Sequence, residues 1–244
     1  GDNERGTITG CYTNNDVVCG NDNGTLDDCG KKTNDDFKNG TVCPLLNDAL
    51  KDANASVRFY RGTNYPELIM NVPSLAEGKY QISNKEELYA FALLVNNGET
   101  NANAELTADI VVNSGLAEGK TMLESLEYDV ASGKVTNGSS FVAWTPMGYY
   151  KSDDDYVEYK GTFDGQGHTI SGLYLDNREL NNVGLFGRNS GTIKNVGVVD
   201  SYFCGNNQVG GVCGNNDTVS TKSHCYNMGT VCDHNWVAGV CGEN

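Results

Sequence analysis

Short apolar runs, each closed by glycine or asparagine, recur through the last third of the chain. "VGLFGRNSGTIKNVGVVDSYFC" starts at Val183, "VGGVCGNNDTVSTKSHCYNMGTVC" at Val209 and "VAGVCGEN" at Val237. The glycine closing each opening motif stands at 187, 214 and 242, so the spacings are 27 and 28 residues. A period in the twenties, with β-like runs and Gly/Asn corners, is the signature of a β-solenoid. One coil cannot bury its own apolar face, whereas stacked coils can, each strand pairing with the same strand one coil away. The pattern predicts stacked parallel strands from about residue 104 to 244, with Leu185, Phe186, Val196, Val212 and Val240 near the core.

Upstream, "YKGTFDGQGHTISGLYLDN" (Tyr159 to Asn177) reads as the preceding coil. Phe163, Ile170, Leu173 and Leu175 are its apolar positions, and Gly161, Gly165, Gly167 and Gly172 mark its bends. "FVAWTPMG" from Phe141 and "AELTADIVVN" from Ala104 read as strands of earlier coils. The polar stretch 114–140 and the run "KSDDDYVEY" read as loop excursions.

Two segments carry a helical period instead. "SNKEELYAFALLVNNG" offers Ser83 as N-cap with Glu86 three residues on, a capping box. Leu88, Phe91, Leu94 and Val95 share one face, and Gly98 suits the stop. "TNDDFKNGTVCPLLNDAL" repeats the logic with Thr33, Asp36 and Phe37, then Val42, Leu45 and Leu46, shortened by Gly40 and Pro44. A helix over the open end of a solenoid hides strand edges, and both are read as caps. The expected fold is therefore mostly all-β, a β-solenoid with one or two short capping helices. Residues 1–70 form one block, 71–78 a linker interrupted by Pro73 and Gly78, and 79–244 a second block.

Charge and composition narrow the function. The 244 residues include 17 basic and 32 acidic side chains, a net charge of -15. That argues against nucleic acid and anionic membranes as partners, since both need basic patches. The longest purely apolar run, Tyr89 to Val95, is far short of the roughly 20 residues a membrane span needs. Nine Cys against three His, with abundant Gly and only four Pro, favour an oxidising, extracellular setting. The alternative is a set of reduced thiols stacked in a core.

The motifs "GTFDGQGHTISGLYL", "VGLFG" with "SGTIKNVGV", and "VGGVCGNN" with "HCYNMGTV" resemble the GLUG-type repeat proteins of bacterial cell surfaces. "YQISNKEELYAFALLVNNGE" resembles the segment preceding those repeats, and "FYRGTNYPELIM" the segment following them. The resemblance implies a right-handed parallel β-helix, export, and a role in adhesion or surface structure. It carries no established catalytic residue. The closing segment, residues 1–70, here comes before the opening one, 79–244, the reverse of the family's order. Cys225 aligns with Cys11, both followed by Tyr, and Cys232 then falls near Cys19. "VAGVCGEN" would continue into "GTITGCYTNNDVVC", so the chain is expected to join copies of itself head to tail, as a polymer or a tandem array.

Candidate chemistry is sparse. Cys213 and Cys241 occupy one motif position a coil apart and can pair or stack as thiols. Cys29 with Cys43 can close a local loop, and Cys204, Cys232 and Cys19 form a third column. Across a head-to-tail joint, Cys225 can meet Cys11 and Cys232 can meet Cys19. The run Asp153, Asp154, Asp155 is a Ca²⁺ candidate, but it lacks the alternating spacing of a built site and reads better as a solvated loop. His224, Cys225, Cys232 and His234 raise Zn²⁺ without the usual two-residue spacing. Asp164 with His168 suggests acid/base work, although corner glycines around them fit a turn better. No catalytic residue, bound metal or cofactor is expected. Tyr149, Tyr150, Tyr156 and Tyr159 are the best candidates for stacking on sugar rings. Asn23, Asn39, Asn54, Asn137 and Asn216 head Asn-X-Ser/Thr sequons. The expected function is a non-enzymatic structural or adhesive module, the alternative a carbohydrate-binding or carbohydrate-active domain. Surface polysaccharide is the one expected foreign partner.

Overall fold

A computed structural model describes residues 7–9, 12–13, 25–27, 30–31, 43, 47–48, 50–51, 54–61, 66–217, 220–232 and 235–244. The chain forms two compact units, 1–75 and 76–244. Among the described residues both are built mostly of β-strands, as the sequence pattern predicts.

In the first unit, Thr7–Thr9 pairs in parallel with Thr25–Asp27, and Tyr12–Thr13 with Gly30–Lys31. An antiparallel hairpin follows, Val57–Arg61 against Pro66–Met70. Asn47 locks onto it: its Nδ2 donates to the Phe59 carbonyl at 2.7 Å and its Oδ1 accepts from the Phe59 N–H at 2.6 Å. Cys43, Asn47, Asp48, Leu50 and Lys51 are helical. The rest of the expected capping helix, including Thr33, Asp36, Phe37, Val42, Leu45 and Leu46, lies outside the described residues. The stretch 71–78, expected as a linker, contains the strand Ser74–Ala76 and a buried Val72, and the division between the two units falls within it.

The second unit is organised as five columns of parallel strands. The first column runs Lys79–Ile82, Asn103–Leu106, Thr162–Asp164, Thr192–Lys194, Thr221–Ser223. The second joins Ile110–Val111 and Thr169–Ser171 to the opening halves of Gly197–Cys204 and Tyr226–Cys232. A third joins Tyr174–Asp176 to the closing halves of the same two strands. The fourth is Asn181–Val183, Asn207–Gly210, Asn235–Ala238, and the fifth Phe186–Asn189, Cys213–Asn216, Cys241–Glu243. From Thr162 on, partners are offset by 26 residues (Asn181 to Asn207) to 30 (Thr162 to Thr192). Each rung therefore pairs one repeat with the next.

This register makes the apolar positions into continuous ladders. Phe163 pairs with Ile193, Ile170 with Val198 and Val183 with Val209, and all six are buried. Leu185, Phe186, Val196 and Val212 are buried too, whereas Val240 is only partly so. Removing such side chains from water is what rewards the stacking. The corners are equally regular. Gln166, Asn195 and His224 hold left-handed φ of 53, 55 and 52° at one corner, and Asn182, Gln208 and Trp236 hold 58, 58 and 61° at another. Asn tolerates this conformation through its short polar side chain. At a third corner Gly172 (φ 73°) is required, because a Cβ there would lie 1.9 Å from the Asn113 carbonyl oxygen.

The helix Lys85–Asn96 begins one residue later than the capping box suggests. Asn84, not Ser83, is the N-cap, its Oδ1 accepting from the Glu87 N–H at 3.0 Å. Glu87 rather than Glu86 reciprocates, accepting from the Ser83 N–H and Oγ–H at 2.8 Å each. The buried face is the expected one: Leu88, Phe91, Leu94 and Val95. Phe91 packs against Tyr80, Phe163 and Tyr159, which ties the helix to the strand core.

Both expected loop excursions have structure of their own. Residues 114–140 carry two short 3-10 turns, Leu123–Ser125 and Gly138–Ser140, and an antiparallel bridge from Tyr128 to Val135. Met122, Leu126 and Phe141 pack onto Tyr174, Tyr202 and Cys204, and the Asp200 carboxylate accepts the N–H groups of Met122 and Leu123 at 2.8 and 2.9 Å. The acidic run is the tip of an antiparallel hairpin, Tyr149–Ser152 against Asp155–Val157.

Candidate functional site

The hairpin places its tyrosines around one cation. Arg188, on the strand Phe186–Asn189, lies 5.6 Å from the Tyr150 ring centre and 5.1 Å from that of Tyr156. Its Nη2 donates to Glu158 at 2.6 Å. Cation–π contact with two rings fixes the guanidinium and holds the hairpin against the strand stack. Tyr149 carries Lys151 over its ring at 4.7 Å. Tyr156 is about half exposed and Tyr149 and Tyr150 partly so, which leaves amphipathic ring surface open to a ligand. Tyr159 does not belong with them. It is buried between Phe91 and Phe186, donates to the Ala102 carbonyl at 2.8 Å, and its hydroxyl pKa is pushed far up by burial.

The acidic tip is already engaged. Asp153 accepts from the Tyr150 hydroxyl at 2.9 Å and Asp155 pairs with Lys151 at 3.3 Å, so two of the three Ca²⁺-candidate carboxylates serve the hairpin. Among the described residues no cluster of three or more His, Cys, Asp or Glu is arranged to hold a metal ion. The Zn²⁺ constellation is dispersed: Cys232 is in a disulfide, and His234 lies outside the described residues. Asp164 and His168 are separated as well. His168 faces Asp109 at 3.3 Å, whereas Asp164 pairs with Lys194 at 3.0 Å and accepts from Asn195 at 2.9 Å. Both carboxylates tie successive repeats together rather than forming an acid/base pair.

Cysteine chemistry follows the rungs. Cys204 and Cys232, opposite each other in the third column, form a disulfide with a Cα separation of 4.6 Å. That bond occupies the sulfur expected to reach Cys19 of another copy. Cys213 and Cys241 face each other in the fifth column and are both free thiols. Cys225 and Cys43 are free as well. Cys11, Cys19 and Cys29 lie outside the described residues. Lys222 stands in register with Ile193, hence below Phe163, in a column whose other members are buried apolar side chains. Its Nζ is sealed from solvent and has no hydrogen-bond partner among the described residues. The Cys213 thiol donates to the Asn215 carbonyl at 3.0 Å and the Cys241 thiol to the Glu243 carbonyl at 2.7 Å, and Lys222 lies beside Cys241. The neighbouring Cys213 thiol first, then Lys222, pull the Cys241 pKa down to about 6 against the effect of burial, while burial pushes Cys213 well up. A pocket of about 460 Å³, lined by Asn216, Ser220, Thr221, Lys222, Cys241 and Asn244, opens beside this cluster.

Of the sequons, Asn23 and Asn39 lie outside the described residues. Asn54 is exposed, and its Oδ1 accepts from the Leu75 N–H at 2.7 Å. Asn137 Nδ2 donates to the Ser125 carbonyl at 2.8 Å. Asn216 is buried in a ladder of amides, accepting from Asn189 at 2.9 Å and donating to Asn244 at 2.8 Å, so the fold withdraws it as a glycan acceptor. A parallel ladder runs Asn181, Asn207, Asn235. Sequence reading missed Arg188 and Lys222. The second was detectable: aligning "TFD", "TIK" and "TKS" puts a lysine where the earlier repeats have Phe163 and Ile193.

These features define a mostly-β protein whose parallel strands pair repeat on repeat and are tied by a cross-repeat disulfide. The chain is similar to Halomucin of Haloquadratum walsbyi (strain DSM 16790 / HBSQ001), 30% identical over 185 residues. The match covers 74% of this chain and 2% of the relative, so the chain spans a very small part of that protein's length. No protein-family model matches the chain. No solved structure matches it. No helix among the described residues is long and apolar enough to cross a membrane.

Proposed function

We propose that this protein is a non-enzymatic structural or adhesive module of an extracellular or cell-surface assembly, built as a right-handed parallel β-helix and stacked head to tail with copies of itself. The observation that carries the reading is that strands pair repeat on repeat in parallel register, Val183 with Val209 and Val209 with Val237. Val209 is fully buried, but its in-register partner Val237 is 48% exposed, and Met228 and Trp236 of the same repeat are 71% and 62% exposed. Among the described residues, the strands Thr221–Ser223, Tyr226–Cys232, Asn235–Ala238 and Cys241–Glu243 each pair with the preceding repeat on one side only. Unpaired strand edges flanked by apolar side chains are a template for another strand layer. A second copy is the occupant favoured by the N-terminal strands, because Thr7–Thr9 and Tyr12–Thr13 also pair in parallel. Such a contact is heterologous and does not close, so it yields a rod. The resemblance to GLUG-type repeat proteins belongs to the same reading. The disulfide Cys204–Cys232 and the similarity to Halomucin support an oxidising location outside the cell.

The test is light scattering and negative-stain electron microscopy of the native protein and of Val237→Asp. The native protein forms rods with a constant axial repeat, and the aspartate variant stays monomeric. A native protein that remains monomeric at high concentration overturns the stacking. The mass of the reduced, denatured polypeptide then separates a polymer from a tandem array.

A second reading rests on Tyr150 and Tyr156 flanking Arg188. Those rings suit stacking against sugar faces, making the hairpin a carbohydrate-binding surface. Retention on immobilised surface polysaccharide, lost in Tyr156→Ala with rods unchanged, supports it; equal retention of the variant defeats it.

A further inference from the structure

We propose that Cys241 is a nucleophilic thiol site that reacts with low-molecular-weight disulfides and hands the bond to Cys213, closing a second cross-repeat disulfide. The inference is independent of the stacking reading, because it concerns one rung within a single copy.

Three observations converge on it. Cys213 and Cys241 are register partners on adjacent parallel strands, the same relationship in which Cys204 and Cys232 are already bonded. Both pairs are separated by 28 residues, 213 to 241 and 204 to 232. Adjacent parallel strands bring Cα atoms within the range a disulfide accepts. Second, Lys222 breaks the apolar column below Phe163 and Ile193 and lines the same pocket as Cys241. A neighbouring lysine favours the ionised form of a thiol, and here it adds to the larger effect of the Cys213 thiol in drawing the Cys241 pKa down. The other charged group on the Cys241 strand, Glu243, is turned away: its carboxylate accepts from Gln208 and, at 2.7 Å, from Asn215. Third, access is one-sided. Cys241 lines the pocket of about 460 Å³, whereas Cys213 is fully buried.

The one-sided access orders the steps. The Cys241 thiolate attacks one sulfur of an incoming disulfide RSSR. The RS–SR bond breaks, a Cys241–S–SR bond forms, and RS⁻ leaves through the pocket. The Cys213 thiol gives its proton to RS⁻ and attacks the Cys241 sulfur. The Cys213–Cys241 bond forms as the second RS⁻ departs. The pair is oxidised by two electrons and RSSR is reduced to RSH and RS⁻. A thiol with its pKa near ambient pH is the best attacker in such exchange, which is the condition that the Cys213 thiol and Lys222 create.

The experiment treats the folded protein with oxidised glutathione at pH 7 and maps its linked peptides by mass spectrometry. A Cys213–Cys241 peptide is expected, with the Cys204–Cys232 peptide unchanged as the folding control. In Cys213→Ser the reaction stops at a glutathione adduct on Cys241. Iodoacetamide labelling of Cys241 in the native protein has its pH midpoint near 6. In Lys222→Met that midpoint moves toward the ordinary thiol value of about 8.5, and in Lys222→Arg it stays low. Cys225, whose pKa burial raises, labels more slowly than Cys241 at neutral pH. A persistent Cys241–glutathione adduct in the native protein, linkage of Cys241 to any other cysteine, or a midpoint indifferent to Lys222→Met would overturn the proposal.

Discussion

Cys204 and Cys232 face each other on adjacent parallel strands, and their sulfurs are joined. The Cys204 side of this rung is packed under Tyr174 and Tyr202 together with Met122, Leu126 and Phe141. The bond therefore anchors the excursion 114–140 as well as the strands. Closing a loop of this length is worth about 3–4 kcal/mol in the chain-entropy model. Urea unfolding of the double variant Cys204→Ser, Cys232→Ser should show a loss of that order against the oxidised protein. An unchanged midpoint would mean that the rung is already held by its packing alone.

Core packing should be most sensitive at Phe186. It is fully buried against Tyr159 and Phe163, at ring distances of 5.1 and 5.3 Å. Phe186→Ala is expected to cost about 3–5 kcal/mol. Val130, 99% exposed in the excursion, is the control: Val130→Ala should stay within about 0.5 kcal/mol of the parent.

The left-handed corners give a sharper test of local strain. Asn195 has φ of 55° and donates to Asp164 at 2.9 Å. Asn195→Gly keeps the backbone and loses only the side-chain bond. Asn195→Val loses the bond and forces a β-branched residue into the same conformation, so it should be less stable than the Gly variant by about 1–2 kcal/mol. Equal unfolding midpoints for the two variants would rule the backbone term out.

Acid should loosen the ladders that join successive strands. For Asp164, burial alone would raise the pKa, but the bonds from Asn195, the Gln166 N–H and Lys194 outweigh it and hold the carboxyl below its usual value. Glu105 is held down chiefly by Lys79, and Asp109 chiefly by the Thr169 N–H. A carboxylate whose folded pKa is depressed stabilises above its unfolded value, about 4 here, and loses that contribution as pH falls through the folded value. The melting temperature should thus be flat from pH 7 to about 5 and fall below 4. Asp164→Asn should lower the plateau and shallow the acid slope. An acid slope as steep as the parent's would show that Asp164 takes no part in it.

Much of this architecture was legible in one dimension because the physics is periodic. The glycines at 187, 214 and 242 and the apolar positions around them mark rungs that the structure pairs as Phe186 with Cys213 and Cys213 with Cys241. The buried face of Lys85–Asn96 was legible for the same reason. The N-cap was misplaced by one residue because Ser83 and Asn84 can both cap, and only the geometry of Glu87 chooses between them. The tyrosine patch was legible in part. Tyr149, Tyr150 and Tyr156 stay on the hairpin, but Tyr159, only three residues on from Tyr156, turns into the core.

What the sequence determined by itself is what depends on neighbours along the chain: the repeat length, the Gly/Asn corners, the strand-dominated content and the helical face. What only the tertiary structure decided is which side chains meet across the repeats. That Cys232 bonds Cys204, that Arg188 lies between Tyr150 and Tyr156, and that Lys222 and Cys241 line one pocket all follow from inter-repeat register. The reason is physical. Turn and strand preferences act over a few residues, whereas a cross-repeat contact depends on how many residues each corner absorbs. Here that number varies, giving offsets of 26 residues at Asn181 and 30 at Thr162. A shift of a single residue would have turned every side chain of a strand to its other face.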